Sequence, residues 1–332
     1  MRPQIKFPKI LALHAGGIGD LILALPALRA FRKSFSESSL DLMGYRERLS
    51  LIAYDLQAQT VHSIDQSGMA YFYSEGELLP SRLVDLFSSF STALIIGQSG
   101  ARTLAENIRR SEIRQVILLP SFPPEGEKKH VSNHLLEALR SFGIEGPDLF
   151  HPLNLPGESV SFAKEFLSKT GWAEGKPILA IHPGSGSPSK NWSPGNFALV
   201  ADWASEQANL FLISGPARDG RDEFLRAMKS ANPILLDHLP LLDLASILAK
   251  CRAYLGNDSG ITHLAAMMGI PTLALFGPTD PAIWGPRGAK VQIISAEEAG
   301  TLHPGERKEV LLSRMGQIKP EMVMEMLAPI LE

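Results

Sequence analysis

The sequence has a single cysteine, Cys251. One thiol excludes an intramolecular disulfide and a cysteine-rich zinc site. Long apolar runs are missing too. The stretch Leu21–Leu28 falls far short of the ~20 residues that span a bilayer. The leading segment, MRPQIKFPKILALHAGG, has too short an apolar run for a signal peptide, and two glycines interrupt it. The expectation is a protein of the reducing cytoplasm, with peripheral attachment to a membrane surface left open. Nor is there an excess of positive charge: 32 Lys and Arg stand against 35 Asp and Glu, for a net charge of −3. That removes the electrostatic case for nucleic acid as the main partner. Short-period repeats and low-complexity tracts are absent. What is there is an ordinary globular composition, 45% hydrophobic and 20% charged, which excludes a disordered chain. At roughly 100–200 residues per domain, a chain of 332 residues points to two domains.

Short apolar runs bounded by turn residues mark the expected strands. In the first half these are Lys9–His14, Leu40–Gly44, Val61–Ile64, Ala93–Ile96 and Gln115–Leu119. In the second they are Pro177–His182, Leu210–Ser214, Pro233–Leu236, Ala253–Gly256, Thr272–Phe276 and Val291–Ile294. Helical patterns lie between many of them. This alternation predicts an α/β fold of two doubly wound parallel-sheet domains, each with both sheet faces covered. The Gly- and Pro-rich segment FGIEGPDLFHPLNLPGES separates the halves. The expected division is a first domain over 1–155, a linker over 156–175 and a second domain over 176–315. A helix over 316–332 is expected to pack back across the junction. Tandem domains of this type place ligands at strand C-termini, in a cleft.

Three loops carry chemistry. The first follows the first strand, in LALHAGGIGDLILALPALRAF. Gly16, Gly17 and Gly19 precede Asp20, near which a helix is expected to start. A dinucleotide fingerprint fails here, because Ile22 stands where it needs Gly or Ala. Asp20 would also repel a pyrophosphate at the helix N-terminus. Asp20 is either a helix cap or a carboxylate able to take a proton from a hydroxyl. Pro26, inside the helix, is expected to kink it.

The second loop is IHPGSGSPSKNW. Ser185, Ser187, Ser189 and Lys190 offer hydroxyls, N–H groups and one cation, a composition suited to a diphosphate. The P-loop spacing is absent, and Trp192 is expected in the core. The third stretch, GNDSGITHLAAMMGIPTLALFGPTD, runs a strand into Asp258, Ser259 and Gly260, then into a helix carrying His263 and ending at Gly269. A helix N-terminus there offers free N–H groups to an anion. Each of these residues alone reads as a cap or a core group; together at one strand end they favour a ligand site. Gly215-Pro216-Ala217-Arg218-Asp219 and Gly277-Pro278-Thr279-Asp280 follow two further strands. His130 and His134 read as surface residues.

The pairing of HAGGIGDLILALPALRAF with IHPGSGSPSKNW and GNDSGITHLAAMMGIPTLALFGPTDP resembles the ADP-heptose:lipopolysaccharide heptosyltransferases, glycosyltransferase family 9, over about residues 8–295. The resemblance implies a GT-B fold: two Rossmann-like domains, the first taking the acceptor and the second the nucleotide sugar. It implies inverting transfer from ADP-heptose to a glycolipid or saccharide acceptor, with no bound metal or other cofactor. The absence of an Asp-x-Asp in these loops fits that. By the same resemblance Asp20 is the general base, beside an acceptor-side loop of Gly16, Gly17 and Gly19. Ser185, Ser187 and Lys190 lie in the phosphate-contacting loop, and Asp258, Ser259, Gly260 and His263 match the segment approaching diphosphate and sugar. Gly215 opens a further donor-side loop, where the family's acidic residue has no clear match and Asp219 is the nearest acid. The first half is not basic, with 16 Lys and Arg against 16 Asp and Glu in residues 1–155. Another nucleotide sugar, or a non-catalytic nucleotide-sugar-binding role, are the alternatives. Contact with the inner membrane surface stays open.

Overall fold

Strands made of unbroken apolar residues are stable only where both faces of their sheet are covered. Such strands form two all-parallel sheets. The computed structural model describes residues 8–146, 150–170, 175–215, 220–230, 232–296 and 315–332. Among these the chain forms two compact units, Met1–Leu149 and Phe150–Glu332.

In the first unit the strands are β1 (Lys9–His14), β2 (Ser39–Gly44), β3 (Ala58–Ser63), β4 (Thr92–Gly97) and β5 (Gln115–Pro120). They lie in the order β3-β2-β1-β4-β5. Central β1 is buried from Ile10 to His14. The helices are α1 (Ile18–Ser34), α2 (Arg46–Ala53), α3 (Met69–Phe72), α4 (Ser81–Ser88), α5 (Ala101–Arg109) and α6 (Val131–Arg140). Pro26 does not end α1, which runs unbroken across it. α1 packs on α6, where Ser132 Oγ donates to the Leu23 carbonyl at 2.8 Å. Arg29 of α1 grips the buried Asp55 carboxylate with two N–H groups, at 2.7 and 2.9 Å, the bidentate geometry guanidinium favours.

The second unit holds α7 (Gly157–Lys169), β6 (Ile178–His182), α8 (Pro194–Ser205), β7 (Asn209–Ser214), α9 (Arg221–Ala227), β8 (Ile234–Asp237), α10 (Leu241–Leu248), β9 (Ala253–Asn257), α11 (Gly260–Met267), β10 (Thr272–Phe276), α12 (Pro281–Trp284) and β11 (Val291–Ser295). Its sheet order is β11-β10-β9-β6-β7-β8, the doubly wound order of dinucleotide-type domains. α7, within the segment read as a linker, packs against α10 of this unit. The C-terminal helix Pro320–Leu331 packs against α8 and β9 of the same unit. Its Val323, Leu327 and Leu331, spaced by four, bury in that core. Trp192 is fully buried there, and its indole N–H donates to the Ile318 carbonyl at 2.9 Å. α11 stops where expected: Gly269 takes φ of +79°, an angle that favours glycine. No helix among the described residues is long and apolar enough to cross a membrane.

Candidate active site

Each sheet has one place where neighbouring strands send their chains in opposite directions. In the first unit it lies between β1 and β4; in the second, between β6 and β9. The loops leaving the C-terminal ends of such a pair part, and the crevice between them is where open α/β sheets bind ligands. Every site residue expected from the sequence, Gly215 excepted, lies in a loop or helix start following one of these four strands.

At the first crevice β1 ends at His14, paired in register with Ile96 of β4. Helix α1 starts at Ile18, with Gly17 as its cap, two residues earlier than the sequence suggests. Asp20 is therefore the third helical residue rather than the cap. Its Oδ2 accepts the Gly17 N–H at 2.9 Å, so the carboxylate reaches back across the turn. Among the described residues, Oδ1 has no hydrogen-bond partner. Gly16 must be small: a Cβ there would sit 2.8 Å from His14 Cε1 and 2.9 Å from Asp20 Cβ. The Gly16 N–H donates to His14 Nδ1 at 3.3 Å, and its carbonyl accepts from Arg48 at 2.8 Å. Burial lowers the His14 pKa to about 4, the Asp20 charge opposing the shift and Arg48 adding to it. His14 is thus a neutral imidazole beside the carboxylate. Gly19 lies in the first turn of α1.

Asp20 and Gly16 line a cavity of about 290 Å³ with Tyr73, Gln98, Ser99 and Ser121. Those last four residues were not candidates from sequence. They come from α3, β4 and β5 ends that share no local spacing with the glycine loop, and no sequence signal marks them.

At the second crevice the loop after β6 is held by Asn257, the last residue of β9. Its amide donates to the Pro183 carbonyl at 2.7 Å and accepts the Trp192 N–H at 3.0 Å. Both ends of the Ser/Gly/Lys loop are thereby fastened to β9. Within the loop, Ser185 Oγ donates to the Ser187 carbonyl at 2.7 Å and accepts the Ser187 N–H. The Ser187 and Ser189 hydroxyls meet at 2.9 Å. A single 3₁₀ turn, Pro188–Lys190, presents Lys190. Its Nζ lies 2.6 Å from Asp258 Oδ2, and that carboxylate is almost fully buried. The same oxygen accepts from Thr279 Oγ1 at 2.6 Å. Oδ1 of Asp258 has no hydrogen-bond partner among the described residues.

Ser259 caps α11, its Oγ accepting the Thr262 N–H at 3.3 Å. Thr262 Oγ1 in turn donates to the Asn257 carbonyl. The cap reading of Ser259 is therefore correct, and Gly260 begins the helix behind it. His263 is buried one turn in. Gly215 follows β7 and has open space where a Cβ would stand. The Pro216–Asp219 part of that loop lies outside the described residues. The Thr279 and Asn257 contacts were not foreseen, although both residues stand in the quoted motif. His130, read as a surface residue, is instead the buried cap of α6, its Nδ1 accepting the Ser132 N–H at 3.2 Å.

The arrangement offers two chemistries, one in each unit. The first is a carboxylate with one free oxygen, in a small cavity. The second is a cation and a carboxylate beside a helix N-terminus, which suits a phosphate bearing a hydroxylated group. The sequence profile of glycosyltransferase family 9 (heptosyltransferase) matches residues 85–311, more than half of the chain. The chain belongs to glycosyltransferase family 9. It is a glycosyltransferase, and its fold class is GT-B.

A lipooligosaccharide heptosyltransferase 2 of Haemophilus ducreyi is 23% identical, with 97% of this chain and 99% of that protein aligned. That of Haemophilus influenzae is 27% identical over 53% of this chain and 54% of its own length, so the chain spans about half of that relative. Among solved structures, a family 9 glycosyltransferase of Veillonella parvula matches with a TM-score of 0.76 at 19% identity, covering 99% of this chain and 98% of that one. The Escherichia coli ADP-heptose lipopolysaccharide heptosyltransferase II matches with a TM-score of 0.73 at 19% identity, covering 97% and 98%. These structural likenesses carry the fold. The profile match begins beyond the Asp20 loop.

Proposed function

We propose that this family 9 enzyme transfers heptose from ADP-heptose to a hydroxyl of a lipopolysaccharide core, or a related saccharide, with inversion and without a bound metal. The observation that carries the reading is the Lys190–Asp258–Thr279 group, set beside the N-terminus of α11 at the crevice of the second sheet. A nucleoside diphosphate sugar presents an anion and a set of sugar hydroxyls together. The ammonium and the helix N–H groups suit the diphosphate, and the Asp258 carboxylate suits the hydroxyls.

In the reaction Asp20 takes the proton of the acceptor hydroxyl. The oxygen attacks the anomeric carbon as the bond to the departing phosphate breaks, so the configuration inverts. Negative charge grows on the leaving ADP. Lys190, His263 and the α11 N-terminus stabilise it in place of a metal ion. The relatives' names supply the heptose and lipopolysaccharide parts of this reading. It places the enzyme in the cytoplasm, where a lipid-linked acceptor is met at the inner membrane surface.

The test is calorimetric titration of the metal-free protein with ADP-heptose, GDP-mannose, UDP-glucose and NAD. Selective binding of ADP-heptose supports the donor assignment. Preference for another nucleotide sugar keeps the site and removes the heptosyl reading. Binding of NAD alone overturns the reading of both glycine loops.

A further inference from the structure

Asn257 ends β9 and is fully buried, so its side chain cannot touch a ligand. It meets instead the loop that carries Lys190. A carbonyl can only accept and an N–H can only donate, so the two partners fix the orientation of the amide. Nδ2 donates to the Pro183 carbonyl at 2.7 Å, and Oδ1 accepts the Trp192 N–H at 3.0 Å. Pro183 and Trp192 are the buried ends of a loop whose middle, from Ser185 to Asn191, is half-buried or exposed. The hydrogen bonds inside the loop join residues two or three apart, so they shape it without attaching it to the sheet. Attachment comes from Asn257 at both ends and, one residue further along the same chain, from Asp258 to Lys190 at 2.6 Å. The Asn257 main-chain carbonyl also accepts from Thr262 Oγ1, in the first turn of α11. One residue therefore ties together the cation loop and the helix N-terminus.

We propose that Asn257 is a positioning residue for the donor site: its amide sets the span of the Ser/Gly/Lys loop and so holds the Lys190 ammonium where a diphosphate meets it. The proposal rests on the donor reading above and adds a residue that acts on affinity without contact. The short planar amide carries a donor and an acceptor side by side, with no charge. A smaller or apolar side chain leaves a buried carbonyl and a buried N–H unpaired, and the two loop ends are no longer held to one point. Trp192 keeps its own anchor, the indole bond to the Ile318 carbonyl. The loss therefore falls on the chain between Pro183 and Trp192, where Lys190 stands. A binding group is only as well placed as the shell that supports it.

The experiment is a double-mutant cycle on ADP-heptose affinity, read by calorimetry, with thermal melts on the same samples. Asn257→Ala is expected to weaken binding about fivefold, and Lys190→Ala about tenfold or more. The double variant should bind within about twofold of Lys190→Ala, because the clamp acts through the ammonium. Tm, by contrast, should fall by about 2–4 °C on replacing Asn257 in either background. A role in folding alone gives the Tm loss without the coupling in affinity. Unchanged affinity in Asn257→Ala overturns the proposal. So does a double variant about fiftyfold weaker than the parent, the product of independent effects. If Asn257→Ala does not fold, Asn257→Ser carries the same cycle, and failure of both to fold overturns the positioning role. If the parent does not bind ADP-heptose, the donor reading fails instead. The clamp is then tested by acetylating the protein with acetic anhydride and mapping Lys190 by mass spectrometry. Lys190 should react at least about threefold faster in Asn257→Ala than in the parent, as its pairing with Asp258 loosens; equal rates overturn the proposal.

Discussion

Replacing Asp20 by asparagine separates its observed capping contact from its proposed role as a base. In the protein Asp20 Oδ2 accepts the Gly17 N–H at 2.9 Å. An asparagine offers its amide oxygen to the same N–H, so the first turn of α1 and the glycine loop stay in place. That contact is worth about 1 kcal/mol. What the amide cannot do is take a proton. General bases contribute typically about 10²–10⁴ in rate, or about 2.7–5.4 kcal/mol of barrier. Asp20→Asn is therefore expected to lower kcat at least about 100-fold, with donor Kd changed less than about threefold, because a base acts mainly in the transition state. Its Tm should stay within about 2 °C of the parent, whereas Asp20→Ala, which also loses the capping contact, should fall by about 2–4 °C. ADP release in a coupled assay reads kcat, calorimetry reads Kd and a thermal melt reads Tm. Near-normal turnover in Asp20→Asn, with Asp20→Ala impaired only through its lower Tm, would make Asp20 a capping carboxylate and refute the base assignment.

Lys190→Ala removes the ammonium paired with Asp258 and should weaken ADP-heptose binding by about tenfold or more in calorimetry; unchanged affinity would take Lys190 out of the site. Thr279→Val strips one donor from Asp258 Oδ2 and should raise the donor KM by about five- to tenfold, with Thr279→Ser close to the parent; equal KM values for the two variants would show that the hydroxyl plays no part. His14, held neutral with its pKa lowered from 6.5 to about 4 by burial, binds a proton in the unfolded chain before it does in the folded one. Its effect on stability is absent above about pH 6.5, grows to a loss of about 3 kcal/mol as pH falls to about 4, and then levels off. Denaturant titrations of His14→Gln should show a shallower loss over that window, and identical slopes would refute the assignment. Cys251 is buried and its thiol pKa is raised by that burial, so it should resist thiol reagents until the protein unfolds; stoichiometric labelling of the native protein would contradict this.

The sequence announces what is dictated by burial along the chain and stays silent on what is made by register across it. KILALH, ILAIH and TLALF read as strands because a central parallel strand buries nearly every residue. The edge strand β3, AQTVHS, was caught only at its end, because its residues are half exposed and carry no apolar run. Asp20, Lys190 and Asp258 were legible for a topological reason: in this fold, polar residues just after a strand stand where ligands bind. Their partners were not. The Thr279–Asp258 bond joins residues 21 apart, and Asn257 holds a carbonyl 74 residues away. Such contacts exist only because β9 lies between β6 and β10. The same holds for the first crevice. Tyr73, Gln98 and Ser121 share no motif with the glycine loop; the strand order β1-β4-β5 and the packing of α3 on α5 bring them to Asp20. The residues that line the cavity with Asp20 therefore belong to the part of the structure that strand order creates, which no local spacing records.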